Sequence, residues 1–118
     1  MKTTKKDFDT FKKEFVRWQH LFGLSQYRVV FHHAVLEGRH AEITVNECGK
    51  IAVVSLSRDT CDDAVFVPAK TNARHEAIHL LLSRLSWLAG CRYLAESDLD
   101  EEEEGIVRRV ESVLDQIG

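Results

Sequence analysis

The segment from Thr71 to Gly90, TNARHEAIHLLLSRLSWLAG, constrains the fold more than any other part of the chain. If this segment is a helix, apolar residues cover well over half of its circumference, which is typical of a helix buried at the centre of a domain. Thr71 is a candidate N-cap, and Gly90 is a candidate stop. We therefore predict a central helix around which the other elements pack.

Within this segment, His75, Glu76 and His79 form the pattern HExxH. On a helix, His75 and His79 lie about 40° apart around the axis, so both imidazoles can bind one metal ion. Glu76 lies about 100° from His75 and flanks that metal without having to ligate it. Two nitrogen ligands, an open coordination position and a carboxylate that accepts a proton from water are what metal-assisted hydrolysis requires. A five-residue pattern also arises by chance, so it needs support from the rest of the chain.

The composition predicts one ordinary globular domain that covers residues 1–118, with 44% hydrophobic and 30% charged residues. A formal charge of -3 gives no support for a nucleic-acid partner. The charged N-terminal fifteen residues lack the apolar core of a signal peptide, and no window approaches the ~18 apolar residues of a membrane span. We expect a cytoplasmic protein. Its three cysteines show no CxxC spacing and are expected to be free thiols: Cys48, Cys61 and Cys91.

The order of the predicted elements indicates an α+β fold. Aromatic residues at steps of three and four predict an amphipathic N-terminal helix that stops at Gly23, and they are Phe8, Phe11, Phe15, Trp18 and Phe22. Three apolar or alternating runs joined by short turns predict an antiparallel meander, and they are 27–33, 41–45 and 51–56. His32 and His33 point to opposite faces of the first strand, so we expect one packed and one exposed imidazole.

The third metal ligand has to come from elsewhere in the chain, because a catalytic zinc usually takes three protein ligands. No histidine follows His79, which leaves a carboxylate of the acidic C-terminal helix. On an ideal helix, Glu103 lies within about 25° of the middle of the apolar stripe, and Glu102 lies about 80° from it. We predict that Glu103 faces the core and ligates the metal, with Glu102 as the first alternative. Alone, this acidic run is more typical of a solvated first turn, and the HExxH pattern on a buried helix is what favours the ligand. The apolar stripe consists of Leu99, Ile106, Val107, Val110, Val113, Leu114 and Ile117.

With this motif and this order of elements, the chain resembles the gluzincin metallopeptidases. In size it is similar to the minigluzincins and to related small HExxH proteins that phages and prophages often encode. The resemblance rests on His75, Glu76 and His79, and on Glu103 by its helix face. It implies a minimal zincin-like fold with an active-site helix and a glutamate helix. It also implies one zinc ion per chain on His75, His79 and Glu103, with Glu76 as the general base that hydrolyses peptide bonds.

A peptide or protein substrate is expected to bind extended along a free sheet edge, for which the strand from Arg39 to Val45 is the candidate. Tyr93, Arg92 and His40 are candidate donors to the tetrahedral intermediate, although packing or surface roles are simpler for each. The alternative function is a non-catalytic or latent zinc-binding interaction protein of the phage or prophage type, with the same fold.

Overall fold

The computed structural model of the chain describes residues 2–59 and 67–117. The class is α+β, as predicted, and its elements are α1 (Lys5–Leu21), β1 (Arg28–Ala34), β2 (Ala41–Asn46), β3 (Ile51–Ser57), α2 (Ala69–Ala89) and α3 (Glu96–Ile117). Cys48 and Cys91 are free thiols, whereas Cys61 lies outside the described residues. None of the helices in the described ranges combines the length and the hydrophobicity that crossing a bilayer requires.

The N-terminal helix α1 is capped at its start and buried along its aromatic side. The Thr4 hydroxyl accepts a hydrogen bond from the Asp7 backbone N–H at 3.1 Å, and the Asp7 carboxylate accepts one from the Thr4 N–H at 2.8 Å. Phe11 and Phe15 are completely buried and meet the ring of Phe31 on β1 edge-on. The predicted aromatic helix is therefore confirmed, and its stripe forms the centre of the core.

The sheet is mixed, so the predicted antiparallel meander is wrong. The strand order is β1-β3-β2, in which β3 pairs in parallel with β1 and antiparallel with β2. The physical reason lies in β3, whose sequence IAVVSLS is buried on both faces from Val54 to Ser57, while β1 alternates. A strand that is apolar on both faces is most stable at the centre of a sheet. The connection at 35–40 is too long for a tight hairpin and lets the chain pass to the far side of β3.

This strand order makes β2 an edge strand. Among the described strands, β2 pairs only with β3, so its other edge has no strand partner. The expectation that the segment from Arg39 to Val45 forms an edge strand is confirmed. Helix α2 packs against β2. The space between α2 and β2 is therefore bounded by a helix on one side and by free strand backbone on the other.

Helix α2 begins earlier than the sequence suggests and is buried on one side only. Its hydrogen bonding starts at the carbonyl of Pro68, which accepts from the N–H of Thr71 at 3.0 Å, so the predicted N-cap at Thr71 is wrong. Proline suits the start of a helix because it lacks an N–H that would otherwise need a partner. The side chains of Ile78 and Leu82 are 41% and 38% exposed. The expectation of a buried helix whose apolar surface covers well over half of its circumference therefore holds only for the opposite side.

Helix α3 contacts the rest of the domain along one edge. In the described residues, Val113 is the one buried position of this helix. Arg109 donates from Nη1 to the carbonyl oxygens of Phe22 and Gly23 at 2.8 and 2.6 Å, and so ties α3 to the end of α1. Gly23 has a φ of 67°, and a Cβ there would lie 2.9 Å from that Nη1. Glycine is thus favoured by the left-handed turn, and it also leaves room for the guanidinium of Arg109.

Candidate functional site

The two histidines of the HExxH pattern converge on the same point in front of α2. His75 and His79 are both exposed, and their rings are inclined at 78° with centroids 4.8 Å apart. Their Nε2 atoms are 3.2 Å apart. Because the helix repeats every 3.6 residues, the four-residue spacing brings the two side chains to the same side.

The distance between these nitrogens tests whether the pair fits a metal ion. Two nitrogen ligands at about 2.0–2.1 Å from a tetrahedral zinc ion lie roughly 3.3 Å apart. The 3.2 Å between Nε2 of His75 and Nε2 of His79 agrees with that value. Without a metal, the same distance lets one ring donate an N–H to the other. The pair therefore fits two ligands of one zinc ion.

Glu76 lies beside the histidines on the side of α2 that faces β2, and it is only 5% exposed. Burial raises the pKa of its carboxyl group, because the charged form loses hydration there. The nearby imidazoles of His79 and His75 act in the opposite direction, and the carboxylate of Glu42 adds to the rise. The motif thus supplies two accessible nitrogens and one shielded carboxyl group.

The histidines and Glu76 line a groove between β2 and α2, which we call the β2–α2 groove. It comprises two adjoining cavities of about 380 Å³ each. One, the Ser83 cavity, is lined by Arg39, Ala41, Glu42, Ile43, Val45, His75, Glu76, His79 and Ser83. The other, the His40 cavity, is lined by Arg39, His40, Ala41, Val67, Thr71, Asn72, His75 and Glu76. The two cavities meet at the catalytic candidates.

The third predicted ligand is not with the other two. Glu103 is exposed, so the prediction that it faces the core is wrong. Helix α3 is turned so that its inward edge carries Glu102, which pairs with Arg84 of α2 at 3.4 Å, and Val113. Only part of the apolar stripe is covered, and its middle, where helix phase places Glu103, remains at the surface.

Within residues 2–59 and 67–117, no third histidine, cysteine or carboxylate joins His75 and His79 in a group that could hold a metal. The β2–α2 groove does contain one further acidic side chain, Glu42 of β2, which pairs with Arg39 at 3.3 Å. The pair of histidines therefore has two carboxylates in its groove, Glu76 and Glu42.

Of the three candidate donors, His40 alone lines the groove. Its Nδ1 atom is buried and has no hydrogen-bond partner. Tyr93 is 90% exposed, and the guanidinium of Arg92 lies 5.5 Å from its ring centroid. Neither of these two lines the groove.

The adjacent histidines of β1 behave as expected. His32 is exposed, whereas His33 is partly buried and stacks on Phe8 with ring centroids 4.8 Å apart. The prediction of one packed and one exposed imidazole is confirmed.

Several residues of the groove are not named individually among the predicted site residues, including Ser83, Arg39 and Glu42. Ser83 follows His79 by four residues, so its helical spacing could have indicated the same side of α2. Arg39 and Glu42 become groove residues only because β2 is an edge strand beside α2. No local pattern in the sequence reports that placement.

The buried carboxylate of Glu47 contacts Ser83, one of the residues that line the groove. It accepts hydrogen bonds from the hydroxyl of Tyr27 at 2.8 and 2.9 Å, from the ammonium of Lys50, and from Ser83 at 3.4 Å. Burial alone would raise the pKa of Glu47, but the hydrogen bonds from Lys50 and Tyr27 outweigh it and lower the pKa. Since Ser83 lines the groove, this network joins α2 to the β2–β3 turn.

Comparisons with known proteins add no relative: no family model matches the sequence, and no curated protein or solved structure matches the chain.

Proposed function

We propose that the protein is a zinc metallopeptidase of the gluzincin type that hydrolyses peptide bonds, with a minimal zincin-like arrangement of its elements. The observation that supports it most is the 3.2 Å separation of Nε2 of His75 and Nε2 of His79, directly beside the buried carboxyl group of Glu76. The second support is the groove itself, since an unpaired strand edge opposite these residues suits an extended peptide.

One zinc ion per chain would be held by His75 and His79 together with a carboxylate. A zinc ion supplies a Lewis acid that acidifies water and polarises a carbonyl group. Glu76 accepts a proton from the attacking water and later donates it to the leaving amine. The free edge of β2 orients the peptide backbone through main-chain hydrogen bonds, so that the scissile carbonyl lies in front of the histidines.

We retain Glu103 as the proposed third ligand. It lies on the exposed part of the α3 stripe, whereas the alternative, Glu102, is engaged by Arg84. Ligation by Glu103 requires α3 to turn its exposed side towards the histidines, against the contacts that it makes through Arg109, Glu102 and Val113. Glu42 is the competing carboxylate, since it already lines the groove.

The metal content of the purified protein tests the site. We expect one zinc per chain by mass spectrometry of the metal, lost on His79→Ala because a two-ligand site binds zinc weakly. Glu103→Ala should lower the affinity for zinc by about 10- to 100-fold or more, the loss that removing a supporting group of a zinc site causes. Glu102→Ala and Glu42→Ala serve as matched controls. Full zinc in Glu103→Ala together with loss in either control would reassign the third ligand.

Cleavage of a broad peptide library by the zinc-loaded protein tests the activity. Glu76→Gln keeps the shape of the side chain but cannot accept a proton, so we expect a loss of about 10²–10⁴-fold in rate with zinc content unchanged. Tight zinc binding without any cleavage that depends on Glu76 would contradict the peptidase proposal.

The alternative, a non-catalytic or latent zinc-binding interaction protein, is favoured by one specific observation. The side chains of Leu114 and Ile117 on α3 are 59% and 54% exposed, and they form an apolar surface that the domain leaves uncovered. A protein that holds one zinc per chain, cleaves no peptide and binds a partner through α3 would fit this alternative.

A further inference from the structure

The two halves of the β2–α2 groove differ in charge. They share Arg39, Ala41, His75 and Glu76, so a peptide that crosses the catalytic candidates extends into both. Beyond these shared residues, the Ser83 cavity also contains the carboxylate of Glu42, whereas the described residues of the His40 cavity add no second carboxyl group to that of Glu76. Among the described residues, an anionic group is therefore repelled more strongly on the Ser83 side of the catalytic candidates than on the His40 side.

The walls of the His40 cavity offer hydrogen-bond donors. Arg39 has five N–H groups, and one ion pair at 3.3 Å joins its Nη1 to Glu42. The side chains of Thr71 and Asn72 add a hydroxyl and an amide on the α2 side. Its described lining thus combines one permanent positive charge and several neutral donors with the carboxyl group of Glu76.

His40 supplies the second, independent observation. Its Nδ1 atom is buried without a hydrogen-bond partner, although nearly all buried polar atoms in folded proteins have one. A buried nitrogen left in this way costs free energy, and in the tautomer that carries the proton on Nδ1 a bound acceptor that reaches it would recover that cost. His40 and Arg39 are neighbours in sequence at the start of β2, and both line the same cavity.

We propose that the His40 cavity is a subsite for a carboxylate group of the peptide substrate, bound by Arg39 and His40. A carboxylate has two oxygens that can accept from a guanidinium and an imidazole at once, which suits this pair better than a neutral side chain. The carboxylate belongs either to an Asp or Glu side chain near the scissile bond or to the C-terminus of the peptide. This inference rests on the proposed peptidase function and adds the class of substrate.

The test measures binding without turnover. Zinc-loaded Glu76→Gln protein is titrated with short fluorescent peptides by anisotropy, using Asp or Glu against Asn or Gln at each position, and a free against an amidated C-terminus. We expect about 10-fold tighter binding of the carboxylate form at one position only, the order of effect of a charge-assisted hydrogen bond. Loss of the preference on amidation identifies the C-terminus, and its persistence identifies a side chain.

Three further variants, each combined with Glu76→Gln, show which residues cause the preference for the carboxylate form. Arg39→Gln and His40→Gln should each reduce the preference to less than about 3-fold and leave the neutral peptides unaffected, because only a donor to the carboxylate is lost. Arg108→Gln removes a positive charge from an exposed position of α3 and should leave the preference intact. Equal binding of both forms, or a preference that survives Arg39→Gln and His40→Gln, overturns the subsite.

The outcomes separate this inference from the proposed function. A carboxylate preference in binding with no cleavage by the unmodified protein supports the subsite and contradicts the peptidase. Cleavage without the preference supports the peptidase and overturns the subsite. Absence of both binding and cleavage overturns both.

Discussion

Helices α1 and α3, at the two ends of the chain, are both amphipathic, yet the domain covers the apolar side of only one. Phe11 and Phe15 of α1 are fully buried, whereas Leu114 and Ile117 of α3 are more than half exposed. Large aromatic rings bury more area for each residue than aliphatic side chains do, and α1 lies on both the sheet and α2. Periodicity thus reports which side of a helix is apolar, but not how deeply that side is covered.

Charge sharpens the contrast between the two helices. Helix α3 contains nine acidic and two arginine residues, seven formal negative charges, while the whole chain carries -3. Close packing of its acidic N-terminal half against other elements would remove these carboxylates from water at a large cost. The anchors that α3 does make are polar, through Glu102 to Arg84 and through Arg109 to the end of α1. The acidic residues of α3 therefore explain both the repulsion among its side chains and the exposure of the helix.

The strongest test of the comparison is truncation in the α1 stripe. Phe15→Ala removes a ring that is fully buried against Phe31 and leaves a cavity. We expect the free energy of unfolding to fall by about 3–5 kcal/mol, measured by urea denaturation. A loss below about 1 kcal/mol would show that the domain does not depend on α1 as its central packing element.

An intermediate effect is expected from pH, through the histidine that holds the start of α1. Burial, followed by the charge of Arg58, lowers the pKa of His33 below its ordinary value of 6.5, and Asp7 opposes this. The folded state therefore prefers the neutral ring: its contribution to stability is complete above pH 6.5 and is lost as the pH falls through the lowered pKa. Denaturation midpoints should decrease below pH 6.5.

His33→Gln is the control for that dependence, since it keeps a polar side chain but removes the titration. Its stability should be flatter between about pH 6.5 and 5 than that of the unmodified protein. The same slope in both proteins would assign the effect to other groups. Glu47, whose pKa is also lowered, contributes only at lower pH, because its ordinary value is 4.5.

The smallest effect is expected on α3. Leu114→Ala truncates a side chain that is 59% exposed, so the free energy of unfolding should change by less than about 0.5 kcal/mol. This change in the free energy of unfolding is measured by urea denaturation at two protein concentrations. A cost above about 2 kcal/mol, or a cost that depends on protein concentration, would mean that the apolar side of α3 is covered in solution.

The sequence predicts the part of the site whose geometry depends on residues close together in the chain. His75, Glu76 and His79 lie on one helix, so their relative placement follows from its 3.6-residue repeat alone. Glu103 required a second helix to be rotated correctly about its own axis, and that rotation is set by Arg109 and Val113, which contact distant parts of the chain. No repeat within α3 contains this information.

The sheet teaches the same lesson. Strand positions were predictable from alternation and β-branched residues, but strand order was not, because consecutive strands usually pair. The run from Ile51 to Leu56 did carry a signal, since it is apolar at nearly every position and a two-sided burial predicts a central strand. Arg39, His40 and Glu42 enter the groove as a consequence of that order, so the sequence alone indicates the placement of His75 and His79 better than that of these three residues.

The mixed sheet also has a consequence for how the chain reaches its native state. β2 and β3 are joined by a short turn, whereas pairing Arg28 of β1 with Ile51 of β3 closes a much longer loop. Loop-closure entropy makes such distant pairings form later. We expect pulse-labelling hydrogen exchange to protect the amides of the β2–β3 hairpin before those of β1. The outer strand β2 would then be assembled early, and α1 would complete the core last.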